Sequence, residues 1–304
     1  MSFKLRLYFA EGSAVETACT ALVLEREIYT PYESLTAEFP EGDFHPEQVV
    51  RIGVEYDNAE IFLGIADRIE QVCRGGVKLL RVKARSFTSV LVQNELVPGL
   101  HANLTIGDLV QGFYTFPHVT YQDDARTGYV YVTTKTSLWD CIVNFTYKLT
   151  GCHAYTVGNM VRMTLPESPR LVTVPAAVSY GTEYDTTRLV SCYHMETIDG
   201  TADGYVQDNP AAAGTEIVRH KRIAFDRMYL SDPTAALTFR NRYSDRGWRA
   251  KFVEYAGFAD EQLGEQVTFG EHLQEARICR VRVSFGAEGL RTKIWAYEDG
   301  FYNV

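Results

Sequence analysis

Short runs in which apolar and polar residues alternate are the feature that most constrains this chain. Successive side chains of a β-strand point to opposite faces of the sheet, so a period of two predicts strands that are buried on one side. The clearest runs lie at residues 3–9, 50–56, 61–65 and 279–285. Turn signals at Asp57-Asn58, at Gly75-Gly76 and from Gly286 to Gly289 follow such runs and predict hairpins. Both ends of the chain are therefore expected to form antiparallel sheets, closed or sandwiched.

The middle of the chain changes to a period near 3.6, which is typical of helices. Apolar residues at 106, 109, 110 and 113 share one helical face, and Thr105 with Asp108 makes a capping pair. A longer apolar face runs over residues 138–149, with Ser137 as the N-cap, Asp140 three residues later and Gly151 after the last turn. Strand-like runs flank this helix, so a small α+β unit is expected here.

The length of 304 residues predicts more than one compact unit, because single cores stop growing near roughly 250 residues. The expected units are a β unit over residues 1–86, a helical connector with a small α+β insert over 87–170, and a second β unit over 171–304. A helix that begins at Asp232-Pro233 belongs to the last unit. The expected fold class is mainly β with an α+β insert.

A strand runs into a helix at Ala84-Arg85-Ser86, where a serine could be mistaken for a nucleophile. The nucleophile elbow needs G-x-S-x-G, and "KARSFTS" contains no glycine. We therefore expect Ser86 to cap the helix that follows, on whose face Phe87 and Leu91 lie. Arg85 then either ends the strand without a special role or presents its charge to a neighbouring chain.

Composition excludes several functional classes. A net charge of −9 argues against a protein that grips nucleic-acid phosphates, although an acidic wall past which DNA slides is compatible with it. The N-terminus lacks the apolar segment of a signal peptide, and no apolar run reaches the length of a membrane span. Six dispersed cysteines predict buried thiols rather than disulfides. Because phosphate loops and zinc-protease motifs are missing from the sequence, neither a cofactor nor an enzymatic activity is expected.

The densest set of metal-binding residue types is the stretch "EGDFHPEQ". Glu41, Asp43, His45 and Glu47 recur there at every second position. A metal site would need these side chains to converge from one strand face, and Gly42 and Pro46 interrupt any regular strand. We therefore interpret the stretch as a solvated loop.

Three stretches resemble the hub proteins of phage tail baseplates, a family that includes late-control D proteins and the hub-like part of type VI secretion spikes. "EIFLGIADRIE" is similar to a family strand with Phe, Gly and Asp at the positions of Phe62, Gly64 and Asp67. "LLRVKARSFTSVLVQNE" resembles the family's strand leading to a short helix. "VTTKTSLWDCIVNFTYKLTG" resembles the segment in which a serine begins a helix with Trp and Phe, here Ser137, Trp139 and Phe145.

The resemblance implies two tube-like β-barrels in each chain, over residues 1–86 and 171–304. It also implies a non-enzymatic homotrimer, a ring of six barrels that joins the hexameric tail tube to a trimeric central spike and leaves a channel for DNA or cargo. Other baseplate proteins and a tape-measure protein are further expected partners, and the expected location is the virion tail, assembled in the host cytoplasm. No spike repeat is recognised in the chain, so the spike is expected to be a separate protein.

The loop from Phe39 to Glu47 is expected to contact a neighbouring subunit, because it is long and polar and lies between two strands. The contact residues expected are Phe39, Glu41, Asp43, His45 and Glu47. Two other functions stay open at this stage. The 19 tyrosines and antiparallel sheets fit a carbohydrate-binding or adhesin-like protein, and a hydrolase would need converging acid, base or nucleophile groups that the sequence does not reveal.

Overall fold

The structure is a computed structural model of the single chain, and it describes residues 3–42, 44–298 and 300. The first seven strands pair antiparallel, as the alternating pattern predicts. They are β1 (Phe3–Phe9), β2 (Ala14–Ala18), β3 (Ala21–Glu27), β4 (Ser34–Pro40), β5 (Val49–Tyr56), β6 (Ala59–Arg74) and β7 (Val77–Ser86).

These strands close into a barrel because one strand bends and pairs on two sides. Only Cys19 and Thr20 separate β2 from β3; β2 pairs with β1, and β3 pairs with β4. At the bend the backbone N–H of Thr20 donates to the carbonyl of Glu38 at 2.8 Å, which holds the bent strand against β4. The circuit is completed through β7, β6 and β5 back to β1. Leucine, isoleucine and valine side chains from all of these strands except β2 fill the interior.

An α+β segment follows the first barrel. Its elements are α1 (Val90–Gln93), β8 (Gly99–Leu104), β9 (Thr120–Tyr121), β10 (Gly128–Val132), α2 (Leu138–Thr150), β11 (Tyr155–Val157) and β12 (Met160–Arg162). The predicted capping of α2 is confirmed: the Asp140 N–H donates to the Ser137 hydroxyl, and Gly151 ends the helix at φ 69°. Thr105 and Asp108 pair as expected, but the turns that follow, over Asp108–Gly112, are π-helical rather than α-helical.

The last third contains ten strands and one helix. They are β13 (Leu171–Thr173), β14 (Ser179–Tyr184), β15 (Cys192–Met195), β16 (Tyr205–Asp208), β17 (His220–Ile223), α3 (Pro233–Asp245), β18 (Arg249–Ala256), β19 (Gln266–Phe269), β20 (Leu273–Arg277), β21 (Arg280–Gly286) and β22 (Gly289–Tyr297). The predicted start of α3 is confirmed, since the Asp232 carboxylate accepts from the N–H groups of Thr234 and Ala235.

A second barrel forms by the same device of bent strands. Residues 171–184 pair with β19 in their first half and with β18 in their second half. Residues 273–286 pair with β19 and then, after a bend at Ile278 and Cys279, with β22. The pair of β18 with β22 closes the circuit. The expected fold class, with two barrels of mainly antiparallel strands, is confirmed; the pair of β13 with β19 is parallel.

The two barrels are joined edge to edge, because β3 of the first pairs antiparallel with β21 of the second. This pairing creates one sheet of eleven strands. A buried ion pair lies beside it: Arg26 of β3 places Nε 3.0 Å from Oε1 of Glu33 in the β3–β4 turn. Arg26 also donates to the carbonyls of Ile61 and Glu261, which belong to different barrels.

A second hydrophobic cluster contains side chains of the α+β segment together with Met195, Met228 and Leu237. Residues on both sides of position 170 therefore share one core, and the domain boundaries expected at 86 and 170 stay a prediction. The Gly158-Asn159 turn connects this layer to the first barrel. The Gly158 N–H donates to Glu33, and the Asn159 side chain donates to the carbonyl of Leu63.

Candidate assembly surface

The Phe-x-Gly-x-x-Asp stretch of β6 has a structural reason at each of its three positions. Phe62 is buried in the first barrel. A Cβ added to Gly64 would lie 2.2 Å from the carbonyl oxygen of Arg85, so only glycine allows the two backbones to approach this closely. Asp67 lies at the irregularity where the pairing of β6 with β7 shifts register between Ala66 and Arg68.

Arg85 is satisfied within the chain. Its Nε and Nη2 donate to the Asp67 carboxylate at 2.7 and 2.8 Å, and its guanidinium lies over the ring of Tyr32. This bidentate pair fixes the bulge of β6 against the end of β7. Arg85 is therefore not an unengaged strand end, and a contact of its charge with a neighbouring chain stays a prediction.

The expected cap at Ser86 is wrong. Its hydroxyl caps no helix; it accepts a hydrogen bond from the backbone N–H of Glu33 at 3.0 Å and lies 2.9 Å from Oγ1 of Thr88. The residues after it begin as a 3₁₀ turn, Phe87–Ser89. Ser86 is almost fully buried, and its oxygen is engaged with the backbone. Its role is thus to attach the end of β7 to the β3–β4 turn.

The loop expected to contact a neighbour divides into buried and exposed parts. Phe39 is the penultimate residue of β4 and is fully buried in this chain's own core, so its ring is not presented to another subunit. Glu41 accepts a hydrogen bond from Gln71 of β6. His45 and Glu47 are exposed and lie 3.4 Å apart. Asp43 lies outside the described residues.

Two strand segments form the outer edges of the stretch β14-β18-β22-β21-β3-β4-β7-β6. Within the described part of the chain, β14 pairs with β18 alone, and residues 68–74 of β6 pair with β7 alone. Tyr180 and Tyr184 project from β14 with 60% and 69% of their surface exposed. An unpaired strand edge presents free backbone N–H and C=O groups and is a template for another chain.

The two barrels repeat one pattern of strands, so each outer edge has an internal counterpart. The bent strand 14–27 corresponds to 171–184, β4 to β18, β5 to β19 and β7 to β22. The partners match except at one place: β1 lies between β2 and β5 in the first barrel, whereas β13 pairs directly with β19 in the second. By this correspondence β6 matches β20 together with β21. In β6, the seven residues Arg68–Arg74 lie between the register shift and the hairpin turn that follows. In β21, the seven residues Arg280–Gly286 lie between the bend that precedes this strand and its hairpin turn.

No model of a known protein family matches the chain, and no curated protein matches it. Solved structures do. The tail protein from Neisseria meningitidis MC58 aligns with a TM-score of 0.68 at 14% identity, covering 99% of this chain and 98% of that one. The 43 kDa tail protein of prophage MuSo2 from Shewanella oneidensis aligns with a TM-score of 0.69 at 12% identity, over 97% and 98% of the two chains. This chain has the phage tail-protein fold.

A component of the type VI secretion system from Escherichia coli, which is structurally similar to the T4 bacteriophage tail proteins gp27 and gp5, also aligns. Its TM-score is 0.54 at 9% identity, over 94% of this chain and 76% of that one. The family resemblance expected from three short motifs is thereby confirmed at the level of fold. A shared fold does not establish a shared function, so the function has to be argued from surfaces.

One face of the eleven-stranded sheet carries paired charges. Val281, Val283 and Ile294 point into the second barrel, so the alternate residues Arg280, Arg282 and Lys293 point away from it. Ion pairs cross the strands on this outer face, among them Arg282–Glu25, Arg81–Glu38 and Arg81–Glu70. Positive and negative side chains are therefore interspersed here.

The two outer edges, β14 and residues 68–74 of β6, were not predictable from the sequence. The equivalence of the barrels lies in how their strands pair and not in residue identity. The one available signal was the apolar and polar alternation from Ile61 onward, which continues past Asp67. No helix within the described ranges has the length and apolar composition needed to cross a membrane.

Proposed function

We propose that this protein is the structural hub of a phage or phage-like tail baseplate, acting as a homotrimeric ring of six barrels. The ring joins a hexameric tail tube to a trimeric central spike. The observation that carries this proposal is the repeated strand pattern, in which the seam of β3 with β21 inside the chain has free counterparts at both outer edges. Three chains joined head to tail at those edges would reproduce that seam three more times.

Symmetry supports this arrangement. A heterologous contact between two different edges must either close into a ring or grow as a filament. Two equivalent barrels in each of three chains give six similar positions, which is the number that a hexameric tube requires. The Phe39–Glu47 loop is proposed to border the same junction, through Glu41 and not through Phe39, because Glu41 already contacts Gln71 on the free segment of β6.

The sheet face with paired charges is proposed to line the central channel. Cross-strand ion pairs leave alternating signs on this face, so DNA phosphates meet no continuous basic strip among the described residues. This differs from the acidic wall that the net charge suggested. The tube, spike and tape-measure partners, and the location in the virion tail, belong to the same proposal.

The internal seam also specifies the register of the contact between chains. The row of directly paired residues that begins with Arg68 and Lys83 reaches Val23 of β3. The matching row, which begins with Arg280 and Trp295, reaches Gly181 of β14. Val23 and Gly181 are therefore equivalent positions. Phe285 pairs with Leu22 in the internal seam. The corresponding residues at the outer edges are Cys73 of one chain and Tyr180 of the next.

A cysteine at position 180 tests both the ring and its register. Tyr180→Cys is expected to form a disulfide with the native Cys73 of a neighbouring chain under mild oxidation, because opposed residues of antiparallel strands lie about 4.5–5.5 Å apart. Non-reducing gels should show dimers and cyclic trimers. The cross-link should vanish in Tyr180→Cys/Cys73→Ser, and Ser179→Cys, on the other face of β14, should not form it.

Light scattering on the unmodified chain provides the independent check. A trimer at high protein concentration supports the ring. A strict monomer that also fails to cross-link would contradict the proposed assembly.

A further inference from the structure

A cluster of one cysteine and two histidines lies on the small sheet of β15, β16 and β17, away from the barrels. Cys192 and His194 are two residues apart on β15 and so share one face. His220 of β17 pairs directly with Cys192 from one side, and Asp208 of β16 does so from the other. The opposite face of β15 carries Tyr193 and Met195, which pack into the second hydrophobic cluster.

The ligand atoms of this cluster converge. Sγ of Cys192 lies 3.5 Å from Nε2 of His194, and that nitrogen lies 2.9 Å from Nδ1 of His220. All three ligand atoms lie within 4.8 Å of one another. The other ring nitrogen of His194 lies 3.1 Å from the carboxylate of Asp203.

We propose that Cys192, His194 and His220 bind a zinc ion that stabilises this three-stranded sheet. Thiolate and imidazole are the ligands that Zn²⁺ takes in structural sites. Tetrahedral Zn²⁺, with Zn–S near 2.3 Å and Zn–N near 2.0–2.1 Å, separates a sulfur from a nitrogen by about 3.6 Å and two nitrogens by about 3.3 Å. The distance between the Cys192 sulfur and the His194 nitrogen already fits, and the two imidazoles need to move apart by about 0.4 Å. The Cys192 sulfur and the His220 nitrogen, which lie within 4.8 Å of each other, must also come to about 3.6 Å.

Two carboxylates complete the arrangement. Asp208 is the direct cross-strand neighbour of Cys192 on β16, so its carboxylate is placed to supply the fourth ligand. Asp203, at Nδ1 of His194, has the position of the carboxylate that orients a metal-bound histidine and makes it a better ligand. Arg222 forms an ion pair with the same carboxylate, its Nε lying 3.4 Å from Oδ1 of Asp203.

The chemistry of binding follows from these surroundings. The ligand is the thiolate, so Zn²⁺ displaces the proton of the Cys192 thiol to solvent when the metal–sulfur bond forms. The ion links β15 to β17 across a connection of more than twenty residues. Because the unfolded chain does not hold these ligands together, binding energy adds to the stability of the folded sheet.

The experiment uses the full-length chain without a polyhistidine tag. Zinc content is measured by inductively coupled plasma mass spectrometry, and Co²⁺ is added to the apo protein as a spectroscopic probe. One zinc per chain is expected, with a thiolate-to-cobalt charge-transfer band and a melting temperature that rises with added Zn²⁺. His220→Gln changes an exposed side chain and should keep the fold, as circular dichroism will show, while weakening zinc binding at least tenfold.

Further variants separate the cluster from other thiols and imidazoles. Cys192→Ser should abolish the cobalt charge-transfer band, and Asp203→Asn should weaken zinc binding by about 10- to 100-fold. Cys73→Ser and His45→Gln remove an exposed thiol and an exposed imidazole elsewhere, and should leave binding unchanged. Stoichiometric zinc that persists equally in Cys192→Ser and His220→Gln, or a protein that shows neither zinc uptake nor a cobalt–thiolate band, would overturn the proposal.

Discussion

Replacing Arg26 with methionine is expected to cost about 3–5 kcal/mol of unfolding free energy, the range found when one partner of a buried ion pair is removed. Arg26 and Glu33 each have 2% of their surface exposed. The guanidinium lies 3.0 Å from Glu33, 3.2 Å from Asp260, and 2.6 and 2.9 Å from the carbonyl oxygens of Glu261 and Ile61. Methionine fills similar space but leaves these acceptors without a donor.

The size of the effect follows from what the remaining carboxyl must do. Burial raises the pKa of Glu33, and the attraction of Arg26 opposes that shift. Without Arg26, Glu33 must stay charged without its cation or take up a proton. The Gly158 N–H, which donates to Glu33, then loses a charged acceptor. The change should therefore loosen both the seam of the barrels and the contact with the α+β layer.

Urea unfolding followed by circular dichroism and tryptophan fluorescence measures the cost. Arg6→Met is the matched control, because Arg6 pairs with Glu16 and Glu55 at the surface, where solvent screens the attraction and its loss should change the free energy of unfolding little. Arg26→Met/Glu33→Gln should recover part of the loss, since no buried carboxylate is then left unpaired. A cost below about 1 kcal/mol for Arg26→Met, or a double variant as unstable as the sum of the single variants, would refute the reasoning.

Three further changes follow from local geometry. Gly64→Ala should destabilise by more than about 2 kcal/mol in urea unfolding, because its Cβ meets the backbone of Arg85, whereas Gly53→Ala on the neighbouring strand meets ordinary contacts and should be nearly neutral. Ser137→Ala should cost about 1 kcal/mol by removing the cap of α2, which helicity at 222 nm and urea unfolding will report. Burial lowers the pKa of His153 to about 3, so the unfolded chain binds a proton near pH 6.5 that the folded chain does not. This contribution to the free energy of unfolding is thus fully present above that pH, and the free energy of unfolding falls by about 2 kcal/mol from pH 7 to 5. In His153→Phe the fall should be smaller by that amount. An equal dependence of the unfolding free energy on pH in both proteins would contradict the prediction.

Features that depend on a few neighbouring residues were predictable. Asp57 and Asn58 adopt positive φ values of 48° and 67° in the β5–β6 turn, as the residue types indicate. The capping box at Ser137 and Asp140 and the helix start at Asp232 appear as expected, because each is a contact within three residues. The alternating runs were recognisable as strands because the period of two is itself a local pattern.

Features that depend on distant partners were not predictable. The alternation identifies β3 and β21 as strands, but nothing in either one specifies that they pair with each other across more than 250 residues. Ser86 failed as a cap because its hydroxyl is taken by the N–H of Glu33, which is 53 residues away in sequence. For the zinc cluster, Cys192-x-His194 on a strand was a visible signal, but His220 joins it only through the parallel pairing of β15 with β17.

The positions of the two long insertions relate the fold to the proposed ring. Residues 87–170 follow the end of β7, and residues 185–248 connect the ends of β14 and β18, where the first barrel has only the short β3–β4 turn. Both insertions contribute to one hydrophobic cluster, so they form a layer at the strand ends. A layer in that place leaves the lengthwise edges of β14 and of residues 68–74 available for pairing. The additions that distinguish the two barrels are thus placed where they do not obstruct the head-to-tail contact that a ring requires.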